Sequence, residues 1–252
     1  MGTVAVEQST SGQANSDTVS LAYGSNLVSG NLVIVFATQQ ANADPTTYVA
    51  GDCTQSAGTA TLDTISIDEV VTSFSVNSAF MGNAIWSAVV TGAGSCTMQV
   101  SNGGTPQKHH IHIMEVSTTD SWDSSRVEDS DQATATSSDT APNTPDITSA
   151  NGAIFVGGLG VSYSGGSVTI TDGSDYTRFG SQQSTGGPGS DIVSAGEYRI
   201  VTTGTTDGPD WTASANAGMS CTGVVYKDTG GAGGGLSIPV AYHHHTRTRK
   251  TI

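Results

Sequence analysis

Lysine, leucine and glutamate are scarce: 3 Lys, 6 Leu and 5 Glu serve 252 residues. These side chains lose little entropy in a helix, and β-branched residues with Gly, Ser and Asp stand in their place. Long helices are therefore disfavoured, and strands joined by tight turns are expected throughout. Long apolar runs are missing too. The longest, Leu32 to Ala37, falls far short of the ~20 residues that cross a bilayer. Met1-Gly-Thr-Val has neither the basic start nor the apolar stretch of a signal peptide. Neither membrane insertion nor leader-directed export is expected.

Positive charge is equally short, with 8 Lys and Arg against 22 Asp and Glu and a net charge of −14. Such a field repels a phosphate backbone, and no basic stripe in the body of the chain counters it, so nucleic acid is not an expected partner. The cysteines, Cys53, Cys96 and Cys221, are odd in number and far apart, which excludes a disulfide framework and a CxxC pair. Burial as small free thiols in a reducing compartment is expected; a Cys53 to Cys96 bridge is the alternative.

Hydrolytic signatures are absent as well. Gly160-Val-Ser-Tyr-Ser-Gly165 is one residue too long for a nucleophile elbow, HExxH does not occur, and no glycine-rich stretch leads into Lys-Ser or Lys-Thr. Paired carboxylates follow from the abundance of Asp and do not select a glycosidase. The expectation is a non-enzymatic protein without a cofactor.

What the chain does have is strand signal at short intervals, punctuated by Gly, Asn and Asp. The first series is Thr18 to Tyr23, Asn31 to Thr38, Thr64 to Val71, Ala84 to Thr91, Thr97 to Ser101 and His109 to Ser117. The second is Ala153 to Val161, Ser167 to Thr171, Tyr176 to Gly180, Glu197 to Thr203, Trp211 to Ala215 and Thr222 to Lys227. This spacing predicts an all-β antiparallel sandwich. The two series also align. Ser29-Gly-Asn-Leu-Val-Ile-Val-Phe36 matches Ser149-Ala-Asn-Gly-Ala-Ile-Phe-Val156 at an offset of 120, and Trp86 to Gly92 matches Tyr198 to Gly204 at 112. The fold expected is a jelly-roll-like sandwich with an internally duplicated strand pattern, either two stacked modules or one continuous sandwich. The continuous form is preferred, because each half alone would have a small core.

Residues 1–228 form the expected body, with halves at about 1–117 and 147–228. The segment between them, 118–146, is polar and long for a loop, and reads as functional surface or as a crossing strand. Residues 229–252 differ in kind. A spacer, Gly230 to Gly235, precedes the apolar Leu236, Ile238, Val240 and Tyr242 and then the basic Arg247, Arg249 and Lys250. The body carries 5 basic and 22 acidic residues, net −17, and the tail 3 basic residues and no acid, net +3. The tail reads as an assembly arm attracted to an acidic surface.

Three groups of residues suggest chemistry. His110 and His112 share one face of a strand, as metal ligands on β-scaffolds do, but Glu115 falls on the other face and no third ligand is evident. Metal binding is therefore not expected, and these two are weak candidates. Asp172-Gly-Ser-Asp175-Tyr176 and Asp207-Gly-Pro-Asp210-Trp211 share the form Asp-Gly-x-Asp-aromatic. Hairpin turns followed by core aromatics explain them; the alternative is a sugar platform of Tyr176 and Trp211 beside Asp175 and Asp210. Asp120, Asp123, Glu128, Asp129 and Asp131 lack the spacing of a calcium loop and read as solvated acid.

A lysine-poor, Gly/Ser/Thr-rich sandwich with a glycine spacer and an apolar-basic arm over Gly230 to Ile252 resembles accessory structural proteins of tailed-phage virions. The resemblance implies a capsid decoration or tail-associated role at the virion surface. It also implies synthesis in the host cytoplasm and contact with copies of itself and other virion proteins. Ser-Gly-Asn-Leu-Val-Ile-Val and Pro-Asp-Trp also look like parts of bacterial surface and carbohydrate-binding sandwiches, which would make a host-surface glycan the partner.

Overall fold

A computed structural model describes residues 2–41, 47–76, 79–102, 108–122, 124–141, 143–149, 153–163, 168–184, 191–215 and 217–231. Among the described residues the chain is all β, apart from the 3-10 turns Ala50–Asp52 and Thr229–Gly231. No helix of the described residues is long and apolar enough to cross a membrane.

The first half supplies β1 (Val4–Ala14), β2 (Thr18–Ala22), β3 (Leu32–Ala41), β4 (Cys53–Gly58), β5 (Thr61–Leu62), β6 (Ser66–Val76), β7 (Ala79–Gly92), β8 (Cys96–Ser101) and β9 (Lys108–Thr118). A large antiparallel sheet runs β1-β9-β3-β7, with β6 and the short β5 along the far side of β7; a small sheet runs β2-β8-β4. β3 explains the arrangement. Its sequence, LVIVFATQQA, is buried at every position. Such a strand must be covered on both faces, which is why it shows no polar alternation. Val33, Val35 and Ala37 face a core with Trp86, Met98 and Val100 under the small sheet, while Leu32, Ile34 and Phe36 face the other way.

The second half supplies β10 (Val127–Asp139), β11 (Ile147–Ser149), β12 (Ala153–Tyr163), β13 (Ile170–Asp172), β14 (Thr177–Ser184), β15 (Asp191–Val201), β16 (Thr205–Asp207), β17 (Trp211–Ala213) and β18 (Ala217–Tyr226). Its large sheet runs β10-β18-β12-β15-β14, and the pairs β11-β16 and β13-β17 cover the outer face. Under these pairs lie Leu159, Val161, Trp211 and Met219 in one cluster and Ile147, Phe155 and Val225 in another.

The two large sheets stack face to face. Leu32, Ile34, Phe36, Ile85, Met114 and Val116 from the first meet Ile154, Val156, Phe179, Val224 and Tyr226 from the second, all at most 5% exposed. Phe36 lies against Gly158, where a Cβ would come within 2.3 Å of the ring. Thr38 lies over Gly160 and Gln40 Nε2 donates to Ser162 Oγ at 3.0 Å. Because both numbers rise together, β3 and β12 run in the same direction across the interface. Side to side, β1 lies beside β14 and β6 beside β10.

The described residues thus form two units, one of a large and a small sheet and one of a large sheet with two short strand pairs, with a third core between them, rather than one continuous sandwich. Each half makes up for its small private core by burying the outer face of its large sheet against the other. Residues 127–139 of the polar segment are a strand, β10, at the edge of the second large sheet. The match of Trp86 with Tyr198 is out of phase: Trp86 faces the core under the small sheet, whereas Tyr198 packs toward the interface. The match at 120 does hold in space, because Ile34 and Ile154 both face the interface core. The cysteines are free and buried, with Cys53 opposite Val100 and Cys96 opposite Gly58 on the ladder.

Candidate functional site

The two Asp-Gly-x-Asp-aromatic segments end up side by side. The first turns from β13 into β14, closing with Tyr176 N donating to Gly173 O at 3.1 Å; the second leads from β16 into β17. They touch closely enough that a Cβ at position 173 would lie 2.0 Å from Asp210 Oδ1, so only glycine fits there. Glu197 of β15 joins them from below. Its Oε2 accepts from Gly173 N at 3.2 Å and its Oε1 from Asp210 N at 3.1 Å.

Two guanidinium groups complete the cluster. Arg178 Nε donates to Asp172 Oδ1 at 2.7 Å and a terminal nitrogen donates to Ile170 O at 2.6 Å. Arg199 reaches both turns, pairing with Asp175 at 3.4 Å and with Asp207. Tyr176 OH also donates to Asp207, at 3.4 Å. Glu197 is fully buried, and burial pushes its carboxyl up to about 9, against the pull of the two N–H donors. It is therefore a neutral acid at pH 7. Asp210 is held above the usual range by partial desolvation and by the charges of Asp207 and Asp175. A cavity of about 300 Å³ lies along Arg199 to Thr205 beside this cluster.

This geometry removes the sugar platform. Trp211 is 2% and Tyr176 9% exposed, so neither ring presents a face for stacking. The core required large side chains immediately after each turn, and these two fill it. Asp175 and Asp210 do remain at the surface. Asp172 and Asp207, the first residues of the two motifs, hold the cluster together with Glu197, Arg178 and Arg199, three residues that the sequence alone did not single out. Arg178 and Glu197 are direct cross-strand partners, a placement that becomes visible only once the register is known.

His110 and His112 lie inside the interface between the halves, both fully buried. His110 Nδ1 is 2.8 Å from Ser194 Oγ and its Nε2 is 2.8 Å from Ser184 Oγ. His112 Nε2 is 2.7 Å from Ser194 Oγ, and the ring stacks on Phe36 with centroids 5.4 Å apart. Glu115 faces away, accepting from Gln8, Val28 N and Asn31. Among the described residues no group of three or more His, Cys, Asp or Glu side chains is placed to hold a metal ion. Of the acidic residues weighed for calcium, Glu128, Asp129 and Asp131 belong to β10, and Asp123 lies outside the described residues. The arm residues Leu236, Ile238, Val240, Tyr242, Arg247, Arg249 and Lys250 also lie outside them.

Comparison of the chain with family models, curated proteins and solved structures gave no match.

Proposed function

We propose that the chain is a non-enzymatic structural component of a virion, a capsid decoration or other accessory protein, held in its particle by residues 229–252. The observation that carries this reading is the strand order. In the first half the large sheet runs first strand, last strand, β3, β7, β6, and the small sheet β2-β8-β4. In the second half the large sheet runs first strand, last strand, β12, β15, β14, and the pairs β11-β16 and β13-β17 stand where β2-β8-β4 stands in the first. Both are the order of a jelly roll whose fifth strand, β6 in the first half and β14 in the second, has moved to the larger sheet, so the chain reads as a tandem duplication. Jelly rolls serve as capsid and lectin domains. The burial of Tyr176 and Trp211 takes away the residues on which the lectin alternative rested.

The arm gives the test. Deleting residues 230–252 leaves the body folded by circular dichroism and abolishes stoichiometric incorporation into particles. Neutralising Arg247, Arg249 and Lys250 makes incorporation weaker and more easily lost in salt. Incorporation of the truncated protein at wild-type occupancy refutes the role of the arm. Glycan-array binding by the body, without any association with particles, refutes the structural reading.

A further inference from the structure

The histidines at the interface form part of a hydrogen-bonded chain that alternates between the halves. It runs Gln13 of β1, Ser184 of β14, His110 of β9, Ser194 of β15 and His112 of β9. Proton counting fixes its direction. Ser184 donates to Gln13 Oε1 at 2.8 Å, so it accepts from His110 Nε2–H. His110 Nδ1 is then bare and takes the single Ser194 proton, and Ser194 in turn accepts from His112 Nε2–H. His112 Nδ1, beside Gly180, has no partner. The chain is satisfied only with both rings neutral. A proton on His110 turns out the Ser194 hydroxyl hydrogen; one on His112 adds an N–H at the buried Nδ1 beside Gly180, where no hydrogen-bond partner is in place.

The surroundings give a cation no help. The charged groups nearest these rings are Lys108 on β9 and Arg178 on β14, both positive, with His109 on the other face of β9. β15 contributes Asp191, which is engaged by Lys108 at 3.6 Å, and Glu197, which faces the turns. β1 and β3 present Ser11, Gln13, Thr38 and Gln40, without charge. The element that depends most on the chain is β14. It is an edge strand, bonded to β15 on one side only, and it meets the first half through Ser181 O, Gln182, Ser184 and Phe179.

We propose that β14 is an acid-released latch, held on the first half where its Ser184 joins the neutral His110–Ser194–His112 chain and its Gly180 covers the His112 ring, and freed when those rings are protonated. Burial lowers both histidines from 6.5 to about 3. Each ring exposed on opening regains its ordinary affinity for a proton, so at pH 4.5 opening is favoured about 100-fold per histidine relative to neutral pH.

Hydrogen exchange of the full chain at pH 7.0 and 4.5, corrected for intrinsic rates, tests this. Exchange across 177–184 is expected to accelerate 100-fold or more at pH 4.5, with 219–226 of β18 nearly unchanged. His110→Gln with His112→Gln, which keeps hydrogen-bonding capacity without titrating, is expected to abolish the acceleration. Equal acceleration in the two segments, or its persistence in the double variant, overturns the proposal. If that variant does not fold, the ring resonances of His110 and His112 are titrated in the wild type. Midpoints that coincide with the rise in exchange support the latch; midpoints that fall apart from it overturn it.

Discussion

Phe36 and Gly158 offer a direct measurement of the central interface. Phe36→Ala empties a site that is fully buried between the two large sheets, and such truncations cost about 3–5 kcal/mol. Gly158→Ala in the wild type places a methyl 2.3 to 2.8 Å from the Cδ2, Cε2 and Cγ atoms of the ring. The contact is impossible without displacing one sheet, at an overpacking cost of about 1–3 kcal/mol. In the Phe36→Ala background the same methyl enters vacated space. The clash is gone, and a strand interior favours alanine over glycine by roughly 0.5–1 kcal/mol. Gly158→Ala therefore changes sign, destabilising the wild type and stabilising the Phe36→Ala protein. Urea unfolding of the four proteins in the double-mutant cycle gives a coupling of about 2–3 kcal/mol. Additivity within about 0.5 kcal/mol refutes the claim that these residues pack the two halves together.

Two further predictions concern buried charge. Glu197 has a folded value of about 9 and an ordinary value of 4.5; a raised acid loses stability as pH climbs between those limits, so the wild type should fall relative to Glu197→Gln by roughly 1 kcal/mol from pH 7.5 to 8.5. Urea midpoints at the two pH values check this, and parallel behaviour of the two proteins rules it out. Arg126 is 4% exposed and binds Asp63, Ser66 and Ser87 at 2.8 to 3.3 Å. Arg126→Ala should cost about 3–5 kcal/mol by stranding these partners, and Arg126→Lys should recover only part of it, because an ammonium cannot reproduce the fork; full recovery by lysine in thermal denaturation would show that charge alone matters.

The strands that the sequence announced share one property, a run of apolar or β-branched side chains. β3, β7, β9, β12 and β18 lie in the middle of the large sheets and are covered on both faces, so their composition is forced. β1 was not anticipated, and β10 stood only as one of two readings of 118–146, the crossing strand. They are edge strands of 11 and 13 residues, written VAVEQSTSGQA and VEDSDQATATSSD. Polar and charged side chains on an edge prevent pairing with other chains, and the same choice makes these strands look like loop. The twin-turn cluster was half legible for a related reason. Asp-Gly marks each turn locally, but the junction with Glu197 depends on sequence separations of 13 and 24 residues and on a register that no local pattern encodes.

The repeat shows the same division between local and relational information. At an offset of 120 the serine, asparagine and isoleucine of the two segments coincide, yet the residues that oppose each other across the interface, 36 with 158, 38 with 160 and 40 with 162, differ by 122. Both offsets are even, so the faces agree although the heights along the strand differ by two residues, roughly 7 Å. Parity is what selection has to keep, because an odd shift would turn Ile34 or Ile154 out of the shared core. Height can drift, provided that bulk and space drift together: Phe36 fills the place left by Gly158, and Thr38 the place left by Gly160. The large side chains on β3 meet glycines on β12, so the two faces differ in kind where they touch.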